Sequence, residues 1–481
     1  MSSTAFPSTC SATASNAAAP RVIVVGGGLA GIAAAAALAS AGIRVSLLEA
    51  RSQLGGRAGS FEDAPPHQLL DNCQHVLLGC CTNLIDLYRR LGTADKIQYR
   101  NRIHYLDENG RRYDLWSVPS LPAPLHLAPA LAVFGALRLS ERFAVCRAIW
   151  AMLRLGRAGR ESLANVPFGL WLREQRQPER VIRRFYDPIL ISALNEQTES
   201  ASGKYAIQVF QDAMLSHRRG YMIGLPVCPL EKLYALWPCE DVRLHTRVSE
   251  LSFDGNRVTG VILRNGQRLS ADAVVLAANY HAVLRWIPEH LRRVDSRFAH
   301  LDQLQNVPIL GAHLWFDRPV MRLPFAALFD PPLQWLFRKD ERGAVLHGVI
   351  SAARPWVDTP AEKLMLLFRD QIQRLFSVPE AQVIRYRIII EKRATFSPRP
   401  GVDAHRPPQA PPPAGVENLF LAGDYTQTDW PATMEGAVRS GYLAAEKMLQ
   451  AFGTTGGVRR FLVDDLPPEF PMRFLAANNR V

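Results

Sequence analysis

The sequence predicts an α/β protein with a Rossmann-type dinucleotide-binding domain that carries a β-meander, plus an inserted α+β substrate domain of antiparallel sheet and helices. Three observations support this. A glycine-rich motif joins a strand to a helix near the start of the chain, short strands separated by turns begin at residue 242, and a hydrophobic strand ends in Gly-Asp at residue 424. Because these segments are far apart in the chain, the nucleotide-binding domain is predicted to be discontinuous.

The first of these segments reads as one βαβ unit. Residues 22–25 form a β-branched run, which is typical of a strand buried on both faces. Gly26, Gly28 and Gly31 then match G-x-G-x-x-G at the start of an alanine-rich helix, and a second strand ends at Glu49. The glycines permit a tight turn and the close approach of a pyrophosphate to the helix N-terminus. The carboxylate can accept hydrogen bonds from ribose hydroxyls.

A second glycine motif follows that acid and indicates which dinucleotide is bound. Gly55, Gly56 and Arg57 form a Gly-Gly-Arg extension, which resembles the signature of the superfamily of FAD-containing amine oxidases and carotenoid desaturases. A second backbone turn and a guanidinium near the diphosphate would provide charge-assisted hydrogen bonds. The resemblance implies that the cofactor is FAD rather than NAD.

Residues 242–278 are predicted to form short antiparallel strands, since Asp-Gly and Asn-Gly pairs separate their apolar runs. A generic antiparallel sheet has the same pattern. In the superfamily, a meander of this kind covers one side of the FAD domain. The resemblance therefore implies that the backbone of Val248 contacts the adenine.

The last strand ends at Gly423 and Asp424, which places a carboxylate at the C-terminal edge of the sheet, where it can bind ribitol or ribose hydroxyls. Pro431 then begins a helix. Its first N–H groups, around Thr433 and Met434, are predicted to face N1 and the C2 carbonyl of the flavin, where a helix dipole stabilises negative charge. In the superfamily, an Ala-Gly-Asp…Pro…Glu-Gly-Ala…Ser-Gly run has this role.

A narrower resemblance rests on the block at residues 71–83, with sequence DNCQHVLLGCCTN. Together with residues 335–337, 349–353 and 424–428, it resembles the squalene-associated FAD-dependent desaturase family, whose members act as hydroxysqualene dehydroxylases in hopanoid biosynthesis. This resemblance covers roughly residues 21–450. It implies a long apolar isoprenoid substrate, and replacement of an allylic C–OH by C–H with a hydride from the reduced flavin.

One residue departs from that family. Cys73 stands where members generally carry the glycine of Asp-x-Gly. If the position requires a positive φ, a cysteine there is strained and the flavin side of the site is altered. A redox-active thiol is one interpretation of Cys73, and an inert buried thiol is the commoner one.

The dehydroxylation that the resemblance implies needs an acid to protonate the departing hydroxyl. His75, Asp429 and Tyr425 are the candidates, and a water molecule is an alternative. Each candidate also has a structural interpretation, because the histidine can stabilise a capped turn, the aspartate can solvate a loop and the tyrosine can pack.

The segments are assigned to domains as follows: a disordered tail at 1–20, the FAD-binding domain at 21–110, 220–305 and 415–452, the substrate domain at 111–219 and 306–414, and a C-terminal extension at 453–481.

The helical stretch at residues 115–160 contains six arginines and one glutamate among many apolar residues. This composition is typical of an interfacial membrane segment. A helix pair with an apolar face in the core and solvated arginines is the alternative. Because an isoprenoid substrate would be drawn from a bilayer, we expect a cytoplasmic protein that makes peripheral contact with the inner face of the cell membrane.

The composition excludes several other classes. With 481 residues, 48% of them hydrophobic, the chain is neither disordered nor collagen-like. The net charge of +12 raises nucleic acid as a partner, but no nucleic-acid module is found. Seven cysteines without a CxxC pair support neither a disulfide framework nor a metal site, and they indicate a reducing compartment. No motif identifies the electron donor.

Three alternatives to hydroxysqualene reduction remain open from the sequence. A carotenoid-type polyene desaturase or isomerase would move the hydride in the opposite direction, from substrate to oxidised FAD. An amine or protoporphyrinogen oxidase would use the same cofactor site. A non-catalytic isoprenoid carrier would retain the flavin only as structure.

Overall fold

The computed structural model describes residues 20–63, 67–453 and 459–470. The predicted tail at 1–20 lies outside the described residues except for Pro20, as does much of the predicted extension at 453–481.

The strands of the described chain are β1 Arg21–Val25, β2 Arg44–Leu48, β3 Ser60–Asp63, β4 Gln68–Asp71, β5 Leu77–Leu78, β6 Ile97–Arg100, β7 Arg102–Leu106, β8 Arg112–Trp116, β9 Ile223–Pro226, β10 Asp241–Arg243, β11 Val248–Asp254, β12 Arg257–Leu263, β13 Arg268–Ser270, β14 Ala273–Leu276, β15 Asn306–Phe316, β16 Phe325–Leu328, β17 Trp335–Arg338, β18 Val345–Ile350, β19 Val383–Phe396 and β20 Leu419–Leu421.

The α-helices are α1 Leu29–Ser40, α2 Thr82–Arg90, α3 Ala128–Ala132, α4 Leu139–Leu155, α5 Phe168–Glu174, α6 Glu179–Val181, α7 Asp187–Leu194, α8 Gly203–Phe210, α9 Tyr280–Trp286, α10 Glu289–Val294, α11 Ala361–Phe376 and α12 Met434–Ala451.

A five-stranded parallel sheet with the order β10-β2-β1-β14-β20 forms the centre of the nucleotide-binding part. Apart from the edge strand β10, its strands are mostly apolar and buried, as expected when helices cover both faces. The alanine-rich α1 packs on α12, and a Cβ added to Gly441 of α12 would lie 2.2 Å from the carbonyl oxygen of Ala30. Segments from both ends of the chain therefore share one core, and the predicted α/β class is confirmed.

The meander is a separate three-stranded antiparallel sheet, β11-β12-β13. Its first turn runs through Gly255 and its second through Gly266, the two positions at which the sequence predicted hairpins. The side-chain amide of Asn418, immediately before β20, donates to the carbonyl oxygen of Val258 at 2.7 Å and joins this sheet to the parallel one.

A seven-stranded mixed sheet forms the larger part of the substrate side, with the order β19-β15-β18-β17-β16-β7-β8. Helix α11 covers one face of it, where Leu364, Phe368 and Ile372 are buried against the leucines of β15 and β18. Strand β7 lies within residues 21–110, which the sequence assigned to the FAD-binding domain, and in the structure it pairs in parallel with β16 of this sheet.

Residues 115–160 form the short helix α3 and the 17-residue helix α4, joined by turns. On α4, Val145, Ala148 and Met152 are buried in the core, while Phe143 and Trp150 are exposed. Within the described ranges, every helix is too short or too polar to cross a bilayer.

Candidate cofactor and substrate site

The predicted dinucleotide turn begins where β1 ends. Gly26 has φ +110°, which favours glycine, and a Cβ added to Gly31 would lie 1.9 Å from the carbonyl oxygen of Gly26. Gly28 differs, because a Cβ added there would have Gly56 Cα as its nearest neighbour, at 4.0 Å. Gly31 is therefore required by packing within the turn, whereas Gly28 borders the space that a pyrophosphate needs.

The Gly-Gly-Arg turn lies against this first turn. Gly28 and Gly55 form a parallel bridge, and the amide of Gly55 donates to the carbonyl oxygen of Gly27 at 2.8 Å. A Cβ at Gly56 would approach Gly28 Cα to 3.0 Å. The two glycine turns together form a narrow backbone cradle next to the N-terminus of α1, and these residues fit a dinucleotide.

Glu49 follows β2 and is buried beside the first turn. One carboxylate oxygen accepts from the amide of Gly27 and the other from the amide of Arg51, each at 2.7 Å. The Glu49 backbone oxygen accepts from Thr246 at 2.7 Å, which brings the start of β11 and the buried Val248 to the same edge. The carboxylate is thus held by backbone donors, and each oxygen retains a lone pair for a ribose hydroxyl.

Arg57 and Asp424, which the sequence assigned to separate parts of the cofactor, contact each other. Their side chains form an ion pair at 2.6 Å, and a second Arg57 nitrogen donates to the carbonyl oxygen of Ala394. Burial alone would lower the pKa of Arg57, but Asp424, with smaller contributions from Glu391 and Tyr280, outweighs it and the pKa is raised. A small polar pocket beside the pair is also lined by Tyr280 and Tyr425.

The N-terminus of α12 lies next in the chain after Pro431. Thr433 caps this helix, since its hydroxyl accepts from the amide of Gly436 at 3.1 Å, and Met434 is the first helical residue. The buried Glu435 accepts from the backbone amide of Asn83 at 3.1 Å. The first turn of α12 is therefore fastened to the 71–83 block, and its first amides remain available for a ligand.

The three acid candidates lie in different surroundings. His75 Nδ1 is 2.9 Å from the carbonyl oxygen of Cys73, and burial lowers its pKa, so the imidazole is neutral and better suited to accept a proton than to donate one. Tyr425 is buried with its hydroxyl unpartnered, and burial raises its pKa. Asp429 is exposed in a left-handed turn at φ +57°, with its carbonyl oxygen accepting from Gln208.

Cys73 does not have the strained backbone that the missing glycine suggested. The φ angle of Cys73 lies outside the left-handed region, so the turn tolerates a side chain. Burial raises the pKa of its thiol to about 12, and a protonated thiol is a poor nucleophile. The geometry therefore favours the inert interpretation of this cysteine over a redox role.

Sequence reasoning missed two buried histidines, His313 on β15 and His347 on β18, which lie directly opposite each other. Their ring centroids are 4.0 Å apart, and His313 Nε2 is 3.0 Å from the carbonyl oxygen of Asp71. A histidine within an otherwise apolar strand was the available signal.

An apolar cavity of about 180 Å³ lies among α3, α4 and the helices that follow. Its lining side chains include Leu115, Leu131, Trp150, Phe185 and Phe210, and none of its lining residues is charged. Because Trp150 is also half exposed, the cavity reaches the surface at the 115–160 stretch. In the part of the chain that the structure describes, no group of His, Cys, Asp or Glu side chains is arranged to hold a metal ion.

Comparison with known proteins agrees with this arrangement. The family model for flavin containing amine oxidoreductase matches residues 29–449. The 15-cis-phytoene desaturase of Synechococcus elongatus is 26% identical, with 89% of this chain and 96% of the relative covered. The 15-cis-phytoene desaturase of Arabidopsis thaliana is 28% identical, with 90% of this chain and 80% of the relative covered. The zeta-carotene desaturase of Synechocystis sp. is 27% identical, with 89% and 97% covered.

Solved structures show the same fold at lower identity. Putrescine oxidase bound to putrescine has a TM-score of 0.64 at 18% identity, with 90% of this chain and 99% of that chain covered. Cyclohexylamine oxidase from Brevibacterium oxydans has a TM-score of 0.64 at 19% identity, with 90% and 100% covered.

Proposed function

The chain belongs to the flavin-containing amine oxidoreductase family and is an FAD-dependent oxidoreductase, and on this premise we propose that it desaturates a long apolar isoprenoid polyene. The observation that carries the proposal is the likeness to phytoene and zeta-carotene desaturases along nearly the whole chain. An amine substrate is disfavoured by the apolar cavity, which has no charged lining residue to pair with an ammonium group.

The cavity supports a substrate of this chemistry. Ligand sites usually have about 300–1,000 Å³, so a cavity of about 180 Å³ holds a segment of a long chain rather than all of it. An apolar polyene segment would be bound there by exclusion of water from the cavity walls.

Bound FAD supplies the two-electron acceptor for such a reaction. The chain itself would hold the diphosphate on the two glycine turns and the ribose on Glu49. Desaturation also releases a proton, and a neutral imidazole beside the substrate can accept it. The exposed Asp429 is poorly placed for this task.

Hydroxysqualene reduction is the second candidate, and the 71–83 block favours it through its resemblance to the squalene-associated family. It uses the same cofactor site with the hydride moving from reduced flavin to substrate, and it needs a protonated donor. The lowered pKa of His75 makes that residue a weak source of the proton at neutral pH. Desaturation is placed first because of the likeness to phytoene and zeta-carotene desaturases.

We also propose that the 115–160 stretch rests on the cytoplasmic surface of a membrane. Phe143 is 67% exposed and Trp150 52% exposed, and Arg142 and Arg147 lie near them on α4. Exposed aromatic rings among arginines suit the boundary between lipid headgroups and acyl chains. The cavity opens among these residues, so a lipid-dissolved substrate would enter there.

The direction of hydride transfer is testable in one anaerobic experiment. Oxidised holoenzyme with phytoene or zeta-carotene should lose its visible flavin absorbance and yield a more unsaturated product on chromatography. Pre-reduced holoenzyme with hydroxysqualene should stay reduced. Recovery of the oxidised spectrum with squalene as product would instead establish the second candidate.

Two further results would contradict both candidates. Bleaching by putrescine or another amine, but not by a polyene, would indicate an amine oxidase. A flavin that responds to neither polyene nor hydroxysqualene, while both lipids bind, would indicate a carrier.

A further inference from the structure

A row of rings crosses the face of the seven-stranded sheet that is turned away from α11. His313, His347, Phe337 and Phe325 occupy opposing positions on the neighbouring strands β15, β18, β17 and β16. The two imidazoles are 4.0 Å apart and the two phenyl rings 6.1 Å apart, centroid to centroid. The imidazoles are therefore the polar end of an otherwise aromatic surface.

His347 is the unusual member of this row. It has no exposed surface, and neither of its ring nitrogens has a hydrogen-bond partner. An unpartnered buried polar group costs roughly 1–3 kcal/mol. A phenylalanine, as at the next two positions of the row, would avoid that cost. A histidine at this position therefore lowers the stability of the fold relative to phenylalanine. Such a loss of stability is typical of a functional residue.

The ring of His347 lies next to the segment that leads from the Gly-Gly-Arg turn. A Cβ added to Gly311 would be 3.0 Å from His347 Nε2 and 3.6 Å from both Cys73 Sγ and the carbonyl oxygen of Asn72. The side-chain amide of Asn72 donates to the carbonyl oxygen of Arg57 at 3.2 Å. His347 Nε2 is therefore close to the loop that joins the cofactor turns to the substrate face.

We propose that His347 Nε2 exchanges the proton that accompanies hydride transfer, and that His313 positions its ring. This inference deepens the proposed function and rests on it. In desaturation, one hydrogen leaves a carbon with its electron pair, which oxidised FAD accepts. The adjacent carbon loses a proton to Nε2, and the electron pair of that C–H bond becomes the second bond of the new alkene.

The groups around His347 keep it neutral. His313 faces it from β15, His75 from the loop after β4, and Lys339 from the end of β17. Burial lowers the pKa of His347, and these three neighbours lower it further. Asp71 is the counter-charge in this region, since its carboxylate lies 3.4 Å from Lys339 Nζ. A neutral imidazole can accept a proton, and the same surroundings make the imidazolium release it readily.

The first test needs no substrate. Histidine ¹³Cε1 resonances of the full-length holoenzyme are titrated with FAD oxidised and again after anaerobic photoreduction, and His347→Gln identifies the signal. Added negative charge near a buried imidazole raises its pKa, so we expect a rise of about one unit or more on reduction. An identical titration in both oxidation states would overturn the proposal.

The second test compares variants in the reductive half-reaction with a polyene. General bases contribute roughly 10²–10⁴-fold to a rate, so His347→Gln and His347→Phe should slow flavin bleaching by at least about 100-fold. In both variants the bleaching rate should no longer fall at low pH as it does in the wild type. Added imidazole should partly rescue the rate. His347→Phe should nevertheless unfold at the same or a higher temperature than the wild type.

A matched control is available at His126, which is also fully buried with both ring nitrogens unpartnered but packs edge-on against Tyr221 rather than on the sheet. His126→Phe should keep the wild-type bleaching rate. A normal rate in His347→Phe would show that the ring only packs. If no polyene bleaches the wild-type flavin, the proposed function fails, and the titration alone decides the role of His347.

Discussion

Polar groups have partners within the protein on the cofactor side of the molecule, but some lack them on the substrate side. Glu49 is held by two backbone amides and Asp424 by a guanidinium, so both carboxylates are fixed before any ligand binds. On the substrate side, His347 is buried without a hydrogen-bond partner, and Phe143 is exposed. The first region is preorganised by its own contacts. The second has groups whose partners would come from substrate or lipid.

The largest expected effect comes from adding one methyl group to the cofactor turn. In Gly31→Ala the new Cβ would overlap the carbonyl oxygen of Gly26, so the turn must open. We expect a loss of roughly 4 kcal/mol or more of unfolding free energy and no bound FAD, measured by thermal unfolding and visible absorbance.

Gly28→Ala is the matched control, since its Cβ has space among the protein atoms. It should fold normally and still bind FAD poorly, because the methyl group would occupy the pyrophosphate space. A yellow, fully folded Gly31→Ala protein would contradict the assignment of this turn.

The next effect tests the buried imidazoles through stability. Burial lowers the pKa of His313 to about 4, against 6.5 in the unfolded chain. Between these values the unfolded state binds more protons, so the stabilising contribution is complete above pH 6.5 and is lost as the pH falls towards 4. The loss amounts to roughly 3 kcal/mol.

Urea unfolding at pH 7 and pH 4 measures this loss of unfolding free energy. In His313→Gln the loss between the two pH values should be smaller by about that 3 kcal/mol. The same change at the exposed His290 should leave the loss unchanged. An equally large loss in His313→Gln would mean that the native imidazole protonates without penalty.

A smaller effect is expected from the carboxylate that binds the ribose. Glu49→Gln keeps the size of the side chain but loses one acceptor and the charge, so the affinity for FAD should fall roughly 10- to 100-fold. Fluorescence titration of the apoprotein measures this, with the exposed Glu62→Gln as the control. Asp424→Ala should likewise reduce FAD content, because it also leaves Arg57 without its carboxylate. Full occupancy in both variants would refute the predicted roles.

The smallest effect concerns the exposed aromatic residues on α4. Phe143→Ser or Trp150→Ser should weaken binding to anionic lipid vesicles roughly tenfold each, because about 1.5 kcal/mol of apolar burial is lost. Trp237→Ser is the control, since Trp237 is as exposed as Trp150, at 52%, but lies outside the 115–160 stretch. Equal losses in all three variants, in vesicle flotation, would argue against a specific membrane face.

Local motifs predicted much of the fold. The glycine turns, the meander and the α12 N-terminus follow from short-range rules, since each depends on backbone geometry or capping within a few residues. The same rules did not predict the pairing of β7 with β16, which joins segments more than 200 residues apart. Strand partners at that distance are set by packing and leave no local signal.

The sequence by itself determined that the protein binds a dinucleotide, because G-x-G-x-x-G encodes the turn that such binding requires. The Gly-Gly-Arg and Ala-Gly-Asp motifs indicated FAD through their resemblance to a known superfamily. Only the tertiary structure decided that Arg57 pairs with Asp424, that Cys73 is unstrained, and that His347 and His313 meet on one sheet face. Contacts and burial depend on side chains brought together from distant segments, and burial in turn determines which imidazoles stay neutral.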